Sequence, residues 1–403
     1  MRPWNEWMKR GACIVMGLAW AVLRGADGEP RLTVVGQVDE EKLVPIAVVG
    51  YTGESAAVLR FDLEVQGFKV VGEKEARYIL SGSNNGNVVG ALQDAAKTYL
   101  FNKSYEGGAM RLQAHTLSDD VVQAVQGVAG VARTRVVYRM VTGERSREIY
   151  VADFDGHNAL AITSDKRLAG APTWGARNQK VYYTSYQEVN GLENPTILEH
   201  DLSSGGRRVF ARFMGLNTGA AVAPDGRVAL VLSKGGSPDV YVASQGWDFM
   251  NSKAEGGLLR ITNTLEGESS PTWSPDGQWL CFATTVNKRR VLVKTSSRGG
   301  PMMQISTTGV LSPSEPSWSP DGKWIAFTAQ MGDFNICVVP AEGGEARVLA
   351  RGEDPSWAPN SRTLLFSFRG VNKRALGLLD APSKQVRLLP SFAGSASQAE
   401  WAR

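Results

Sequence analysis

The stretch Trp273-Ser-Pro-Asp-Gly-Gln-Trp-Leu-Cys-Phe-Ala-Thr284 recurs as Trp318-Ser-Pro-Asp-Gly-Lys-Trp-Ile-Ala-Phe-Thr-Ala329. Weaker copies begin at the residues Trp174, Val222 and Trp357, and a final anchor stands at Trp401. Successive anchors lie 39 to 51 residues apart, which is the spacing of four-stranded β-propeller blades. In three of the units the anchor is followed by Pro-Asp-Gly, in which Pro fixes φ, the Asp carboxylate caps the turn and Gly takes a positive φ. The anchor therefore ends a first strand, and the apolar run after the turn forms the second.

The two ends of the repeat region complement each other. Residues 135–163 contain three strand-like runs, Arg135–Met140, Glu148–Val151 and Ala159–Thr163, but no anchor. The final segment, Ala399–Arg403, is an anchor with no blade after it. A blade cannot bury both faces alone, so blades must stack into a closed ring. The sequence thus predicts a six-bladed, all-β propeller over residues 133–403, closed by pairing of the C-terminal strand with the first blade.

Residues 27–132 have a different pattern. Short apolar runs bounded by Pro and Gly indicate strands, and apolar periodicity near 3.6 indicates helices. The predicted helices are Ser55–Gln66 and Ala109–Gln126. The predicted strands are Leu32–Val35, Ile46–Gly50, Phe68–Val71, Arg77–Leu80 and a hairpin of Val88–Leu92 with Tyr99–Tyr105. Together they predict a small α/β N-terminal domain.

The first residues predict export. Lys9 and Arg10 precede the apolar run Gly11–Leu23, which is shorter than the ~20 residues that span a bilayer. Small residues follow at Gly25 and Ala26, so residues 1–26 are predicted to be a cleavable signal peptide, with a retained signal-anchor as the alternative.

Composition and isolated side chains limit the chemistry. The net charge is +4 without a run of basic residues, which argues against nucleic-acid binding. The histidines, His115 on a helix and His157 and His200 in turns, lack metal-ligand spacing to one another. We interpret Asp153–Asn158 as a turn rather than half a calcium loop. Turn-forming roles are predicted for Asp225, Asp276 and Asp321, core positions for the anchor tryptophans, and buried free thiols for Cys281 and Cys337. No catalytic residue, metal or cofactor is predicted.

Several motifs resemble the TolB family, the periplasmic propellers of the Tol–Pal envelope system. They are the Ser-Pro-Asp-Gly anchors, Arg133-Thr-Arg-Val-Val-Tyr138, Glu148-Ile-Tyr-Val-Ala-Asp-Phe-Asp-Gly156 and Phe213-Met-Gly-Leu-Asn217. The order of an α/β domain before six blades is also similar. The resemblance implies a monomeric, non-enzymatic protein-binding scaffold that supports outer-membrane integrity and cell division and reaches the membrane only through its partners.

The resemblance also implies partners and a site. The peptidoglycan-associated lipoprotein Pal would bind at the mouth of the propeller, and TolA would contact the N-terminal region. The Pal-facing loops, placed just before the anchor strands, correspond to Asn217-Thr218-Gly219 and Ser269-Ser270. We extend the predicted site to Glu315 and to Glu353-Asp354 on neighbouring loops. The sequence departs from the usual family pattern at Leu216, Ser270 and Ala220-Ala221.

Other functions remain as alternatives. A propeller-capped hydrolase needs an α/β-hydrolase domain with a Gly-x-Ser-x-Gly elbow, and this sequence has no such motif and ends with the ring. A ligand- or metal-dependent propeller enzyme could use Glu315, Asp354 and Glu400 in the central channel. A TolB-like propeller that binds a different envelope protein is the third alternative.

Overall fold

The computed structural model describes residues 38–251, 254–370, 373–389 and 394–403, and a strand pair near the N-terminus. In that pair β1 (Leu23–Arg24) lies antiparallel to β2 (Pro30–Arg31). Apart from these strand assignments, the predicted signal peptide, residues 1–26, and the predicted strand Leu32–Val35 lie outside the described residues. None of the helices in the described ranges is long and apolar enough to cross a membrane.

The α/β region is a five-stranded sheet with two helices packed on it. Its elements are β3 (Val44–Val49), α1 (Gly53–Val65), β4 (Phe68–Val70), β5 (Tyr78–Ser83), β6 (Val88–Asp94), β7 (Tyr99–Tyr105) and α2 (Met110–Gln126). The strand order is β4-β3-β5-β6-β7, with β3 parallel to β4 and β5. Leu59 and Leu63 of α1 and Leu117 of α2 pack with Ile46 and Leu80 of the sheet. This confirms the predicted helices and hairpin to within a few residues at their ends.

Six four-stranded antiparallel sheets follow, and we number them as blades 1–6. Blade 1 holds β8 (Arg135–Gly143), β9 (Ser146–Asp153) and β10 (Leu160–Ala161), and its first strand is β33 (Ser395–Trp401). Blade 2 is β11 (Ala169–Trp174), β12 (Lys180–Val189), β13 (Leu192–Asp201) and β14 (Arg207–Ala211). Blade 3 is β15 (Asn217–Val222), β16 (Val228–Leu232), β17 (Asp239–Ala243) and β18 (Leu258–Arg260).

The remaining blades have the same order of strands. Blade 4 is β19 (Ser269–Trp273), β20 (Trp279–Val286), β21 (Arg289–Ser296) and β22 (Met303–Ile305). Blade 5 is β24 (Pro313–Trp318), β25 (Trp324–Met331), β26 (Asp333–Pro340) and β28 (Arg347–Arg351). Blade 6 is β29 (Glu353–Trp357), β30 (Thr363–Arg369), β31 (Arg374–Asp380) and β32 (Gln385–Leu388). A short parallel pair joins β23 (Thr307–Thr308) to β27 (Gly344–Glu345).

The ring closes through its last strand. β33 pairs antiparallel with β8, with Ser395 opposite Val141 and Trp401 opposite Val136. The backbone N–H of Trp401 also donates to Ser356 Oγ of blade 6 at 3.0 Å, so the closing strand is bonded on both sides. The predicted closure of the sixth blade from both ends of the propeller is confirmed.

The repeated turns form as the sequence predicts. The carboxylate of Asp276 accepts hydrogen bonds from Ser274 Oγ and from the backbone N–H of Gln278, and Asp321 does the same for Ser319 and Lys323. The five anchor tryptophans are at most 5% exposed. These aspartates therefore hold turns, and the anchors are core side chains.

Cysteine and histidine positions complete the comparison with the sequence predictions. Cys281 and Cys337 are free and buried, as predicted, and burial raises the pKa of both thiols. His115 lies on α2 and His157 in the turn after β9, also as predicted. The prediction for His200 was wrong: it lies inside β13, because the polar turn starts only after Asp201, whose carboxylate caps Ser203 and Ser204.

Buried polar contacts join α1 and α2 to the segment that leads into blade 1 and to blade 1 itself. Gln66, which follows α1, accepts the backbone N–H of Val131 on its Oε1 at 2.9 Å. His115 Nδ1 lies 2.8 Å from Asp62 Oδ2, and His115 Nε2 lies 3.5 Å from Asp155 Oδ2 in the turn after β9. The boundary between the two regions, placed at residue 132 from the sequence, stays a prediction.

A Gln66→Ala variant is expected to lose about 1–3 kcal/mol of unfolding free energy, because the buried Val131 N–H loses its acceptor. Urea unfolding of the variant measures this loss. The control is Gln123→Ala on the exposed face of α2, which is expected to change the free energy by less than about 0.5 kcal/mol. Equal effects at the two positions would contradict the role given to Gln66.

Candidate functional site

The propeller has two distinct faces. We call the mouth face the one that carries the loops from a fourth strand to the next first strand, such as 212–216, 261–268 and 306–312, and the hairpins between second and third strands. The opposite face carries the Pro-Asp-Gly turns and the turns between third and fourth strands. The α/β region packs on this opposite face, where Asp39 N donates to Ser383 O at 2.8 Å and Gln385 Nε2 donates to Glu64 O.

A central cavity of about 610 Å³ is lined by the first strands of all six blades. One residue of each first strand stands where that strand enters from the mouth face. These residues, which we call the bulge ring, are Ala171, Gly219, Ser270, Glu315, Asp354 and Gln398. In every blade the pairing of the first strand with the second strand shifts register at this residue, as in a β-bulge.

The bulge ring has an unusual backbone. All six residues have φ between 47° and 62°, although only one of them is glycine. A non-glycine residue in this left-handed region costs roughly 1–2 kcal/mol. Strain of this kind, repeated at one position of every blade, is typical of sites that present side chains or backbone groups to a partner.

The long polar side chains of half of the bulge ring accept hydrogen bonds from blade to blade. Glu315 Oε2 accepts the N–H of Asp354 at 3.0 Å, and Asp354 Oδ2 accepts the N–H of Gln398 at 3.3 Å. Gln398 Oε1 in turn accepts the N–H of Ala171 at 2.9 Å. The other half, Ala171, Gly219 and Ser270, has small side chains. One side of the mouth is therefore lined by long polar side chains. On the other side the small side chains expose backbone groups and leave room in the cavity.

Two carboxyl groups in the cavity have strongly shifted titration. Burial, and then the neighbouring Glu315 and Glu353 charges, raise the pKa of Asp354 to about 7. Burial also raises the pKa of Glu400 to about 7, although Thr173 and the backbone of Trp174 donate to it and Arg403 lies nearby. The Arg403 guanidinium donates to Trp318 O at 3.0 Å and to Ser317 Oγ at 2.9 Å.

The predicted site residues lie in strands, not in loops. The eight residues are Asn217, Thr218, Gly219, Ser269, Ser270, Glu315, Glu353 and Asp354, and all of them fall within the first strands β15, β19, β24 and β29. The loop assignment was wrong because the bulge lets the chain bend at the mouth while the ladder to the second strand continues on both sides of it. Gly219, Ser270, Glu315 and Asp354 line the central cavity.

The other four predicted residues contact their own blade, the preceding blade or the loop before them. Asn217 is fully buried and holds the preceding loop through Phe213 N and Phe213 O, both at 2.8 Å. Thr218 Oγ1 accepts the Thr184 hydroxyl at 3.1 Å, and Ser269 Oγ accepts Arg290. Glu353 Oε1 lies 2.8 Å from Arg374 Nη2. Whether any of the eight contacts a partner stays a prediction.

The sequence reasoning missed exposed apolar side chains on the mouth face. Leu265 is fully exposed, Met214 is 89% exposed and Leu311 is 71% exposed, each in the loop before a first strand. Leu192, in the hairpin after β12, is 73% exposed. A sequence signal was present, since each is an apolar residue in or next to a glycine-containing loop or hairpin.

The three carboxylates of the enzyme alternative, Glu315, Asp354 and Glu400, do line one cavity. Their oxygens accept hydrogen bonds from backbone N–H groups and hydroxyls of their own and neighbouring blades. Within the part of the chain that the structure describes, no group of three or more His, Cys, Asp or Glu side chains is placed to hold a metal ion.

Several relatives in sequence are named Tol-Pal system protein TolB. A segment of the Tol-Pal system protein TolB of Histophilus somni strain 129Pt is 32% identical over 134 residues, covering 32% of this chain and 30% of that protein. The protein of the same name from Alcanivorax borkumensis is 28% identical over 274 residues, covering 57% of this chain and 60% of its own length. The chain thus spans 60% or less of the length of these curated relatives.

A solved structure and a family model agree with these matches. The crystal structure of TolB from Acinetobacter baumannii superposes with a TM-score of 0.79 at 21% identity, covering 92% of this chain and 98% of that one, which supports the fold. The family model described as the TolB beta propeller domain matches residues 122–403. This match covers most of the chain, including all six blades, and the protein therefore belongs to the TolB β-propeller family.

Proposed function

We propose that the chain is a periplasmic, non-enzymatic scaffold of the Tol–Pal envelope system, exported by the signal in residues 1–26. In this proposal the mouth face binds a peptidoglycan-associated lipoprotein (Pal), and the N-terminal region, residues 27–132, communicates with TolA. The relatives named Tol-Pal system protein TolB support the assignment to this system.

The observation that carries the binding site is the set of exposed apolar side chains on the mouth face. Met214, Leu265 and Leu311 stand before the first strands of blades 3, 4 and 5, so three consecutive loops each present one. Exposed apolar side chains grouped on one surface mark protein-binding sites, and such side chains carry much of the affinity when a partner covers them.

The bulge ring supports the same binding site on the mouth face. The small residues Gly219 and Ser270 stand directly after the loops of Met214 and Leu265, so space in the mouth adjoins the apolar side chains. We propose that a segment of the partner enters this half of the mouth, while the hydrogen-bonded half from Glu315 to Gln398 keeps its shape. The geometry leaves the opposite face to the α/β region, so two partners can bind at once.

The experiment is a binding measurement with the purified Pal protein of the same host and the mature chain, residues 27–403. A Met214→Asp, Leu265→Asp variant is expected to bind Pal about 10- to 100-fold more weakly, as for loss of interface hot spots. The matched control is Met250→Asp, Leu160→Asp, which changes two exposed apolar residues away from the mouth face and is expected to leave the affinity within about twofold.

TolA provides a second readout. Binding of TolA is expected to be unchanged in the Met214→Asp, Leu265→Asp variant, because the α/β region lies on the other face. If wild type does not bind Pal at all, the proposed function is wrong. If both double variants lose Pal equally, the mouth face is not the site.

The ligand-dependent alternative has one observation in its favour, the shared cavity of Glu315, Asp354 and Glu400. It predicts that millimolar calcium raises the melting temperature of the wild type and not of an Asp354→Asn variant. That result, with no binding of Pal, would favour a ligand-binding or catalytic propeller.

A further inference from the structure

A second cavity opens on the mouth face between blades 1 and 6. It has a volume of about 350 Å³ and is lined by a cluster of cationic side chains. We call it the basic groove, and its cations are Arg139, Arg147, Arg369, Lys373 and Arg374. They come from β8 and β9 of blade 1 and from the β30–β31 hairpin of blade 6, which ring closure brings together.

Three of these cations have neutral partners. The Arg139 Nη2 atom donates to Ser397 Oγ at 2.8 Å. The Arg147 Nη1 atom donates to the carbonyl oxygens of its own hairpin, with Gly143 O at 3.0 Å. Arg369 lies over the ring of Phe334, with its Cζ 5.7 Å from the ring centroid. These contacts hold the guanidinium groups in place without neutralising them.

Carboxylates border the groove on one side. Glu353 Oε1 lies 2.8 Å from Arg374 Nη2, and the charge of Asp354 acts to raise the pKa of Arg139. Burial lowers the pKa of Arg139; Asp354 is the largest charge effect and opposes this shift, whereas Arg374 and Arg147 add to it. The five cationic side chains of the groove outnumber these two bordering carboxylates. Crowded like charges repel one another, so an anion that enters the groove relieves the repulsion as well as forming ion pairs.

We propose that the basic groove binds an acidic segment, with at least two carboxylates, of the protein that docks on the mouth face. Arginine guanidinium groups match carboxylates bidentately, and several of them around one cavity favour a ligand with more than one carboxylate. The groove opens on the same face as Met214 and Leu265, so one protein can fill the mouth and reach the groove. The inference rests on the proposed function for the origin of the segment, but not for the chemistry of the groove.

The test uses a fluorescein-labelled hexaglutamate peptide as the probe and fluorescence anisotropy as the readout, at about 150 mM salt. The wild-type chain is expected to bind this peptide more tightly than a hexaglutamine peptide. An Arg147→Gln, Arg369→Gln variant, which changes side chains near the rim of the groove, is expected to weaken binding about tenfold or more. The matched control is Arg298→Gln, Lys323→Gln, which removes two charges from exposed residues of the opposite face and is expected to stay within about twofold of wild type.

Three outcomes would overturn the proposal. Equal weakening in both variants would mean a general effect of net charge. Equal binding of hexaglutamate and hexaglutamine by wild type would mean that the groove does not select carboxylates. Displacement of the peptide by inorganic pyrophosphate at a lower concentration than by free hexaglutamate would mean a phosphate site instead.

The two proposals can fail separately. One outcome would keep the proposed function and reject the acidic-segment site. In that outcome the Met214→Asp, Leu265→Asp variant loses affinity for Pal, the Arg147→Gln, Arg369→Gln variant does not, and the wild type does not bind hexaglutamate. Selective binding of hexaglutamate without any binding of Pal would support the anion-binding role of the basic groove and reject Pal as the partner.

Discussion

A Trp401→Ala variant is expected to lose about 3–5 kcal/mol of unfolding free energy, the usual cost of removing a buried tryptophan. Trp401 is fully buried and packs against Phe154, with ring centroids 6.2 Å apart. Its Nε1 donates to Thr134 Oγ1 at 2.6 Å, and its backbone N–H donates to Ser356. The side chain thus joins the closing strand to blade 1, while the backbone joins it to blade 6, so the loss falls on ring closure.

Urea unfolding gives the free energy, and hydrogen exchange locates the effect. The control is Trp324→Ala, at a half-buried tryptophan inside blade 5, which is expected to cost less. In Trp401→Ala, amide protection should fall first in β8 and β33, since opening of the ring is a local event there. If both variants lost the same free energy, or if protection fell evenly over all blades, β33 would not be the element that closes the ring.

The fold was predictable because its signals are local and repeated. Pro-Asp-Gly after an anchor defines a turn wherever it occurs, and its spacing counts the blades without any knowledge of tertiary contacts. Closure was predictable from the complementary ends, an anchorless first unit and the lone anchor at Trp401. The helices of the α/β region were predictable from apolar periodicity, with errors only at their ends.

The site was predictable only in part, because its geometry depends on neighbours far along the chain. A proline stands two residues before four of the anchors, at Pro172, Pro271, Pro316 and Pro355, and it marks the position of the bulge. It does not reveal that the residue before it has a left-handed φ. The side chain of Asn217 could not be placed from sequence, since its partner Phe213 belongs to a loop of irregular shape. The basic groove pairs Arg139 with Arg374, which are neighbours only after the ring has closed.

The cavity carboxylates predict an unusual dependence of stability on pH. The pKa of Asp354 is about 7 in the folded chain against its ordinary value of 3.8, and that of Glu400 is about 7 against 4.5. Between about pH 4 and pH 7 these two groups therefore bind more protons in the folded state than in the unfolded state, so their contribution to stability falls as pH rises through this window. The stabilising effect of the protonated groups is fully present below about pH 4 and is lost above about pH 7.

Replacing either carboxyl group by an amide should reduce this loss of stability with rising pH. Asp354→Asn and Glu400→Gln are each expected to flatten the decline and to raise the unfolding free energy at pH 8 by on the order of 1–2 kcal/mol, a figure reduced from the full shift because water reaches the cavity. The amide introduced by Asp354→Asn keeps an oxygen that can accept the Gln398 N–H and the Ser367 hydroxyl. The substitution therefore removes the charge and retains the links of the bulge ring.

The measurement is urea unfolding of each variant and of the wild type at intervals from pH 4 to pH 8. Glu144→Gln, at an exposed residue of the β8–β9 hairpin, is the control for removal of one negative charge and is expected to follow the wild-type curve. Because Glu315 and Glu353 raise the pKa of Asp354, the Asp354→Asn variant should also respond to Glu315→Gln less than the wild type does. Asp354→Asn and Glu400→Gln variants that keep the slope of the wild-type curve from pH 4 to pH 7 would contradict the prediction and would show that the two carboxyl groups are ionised in the folded ring across this range.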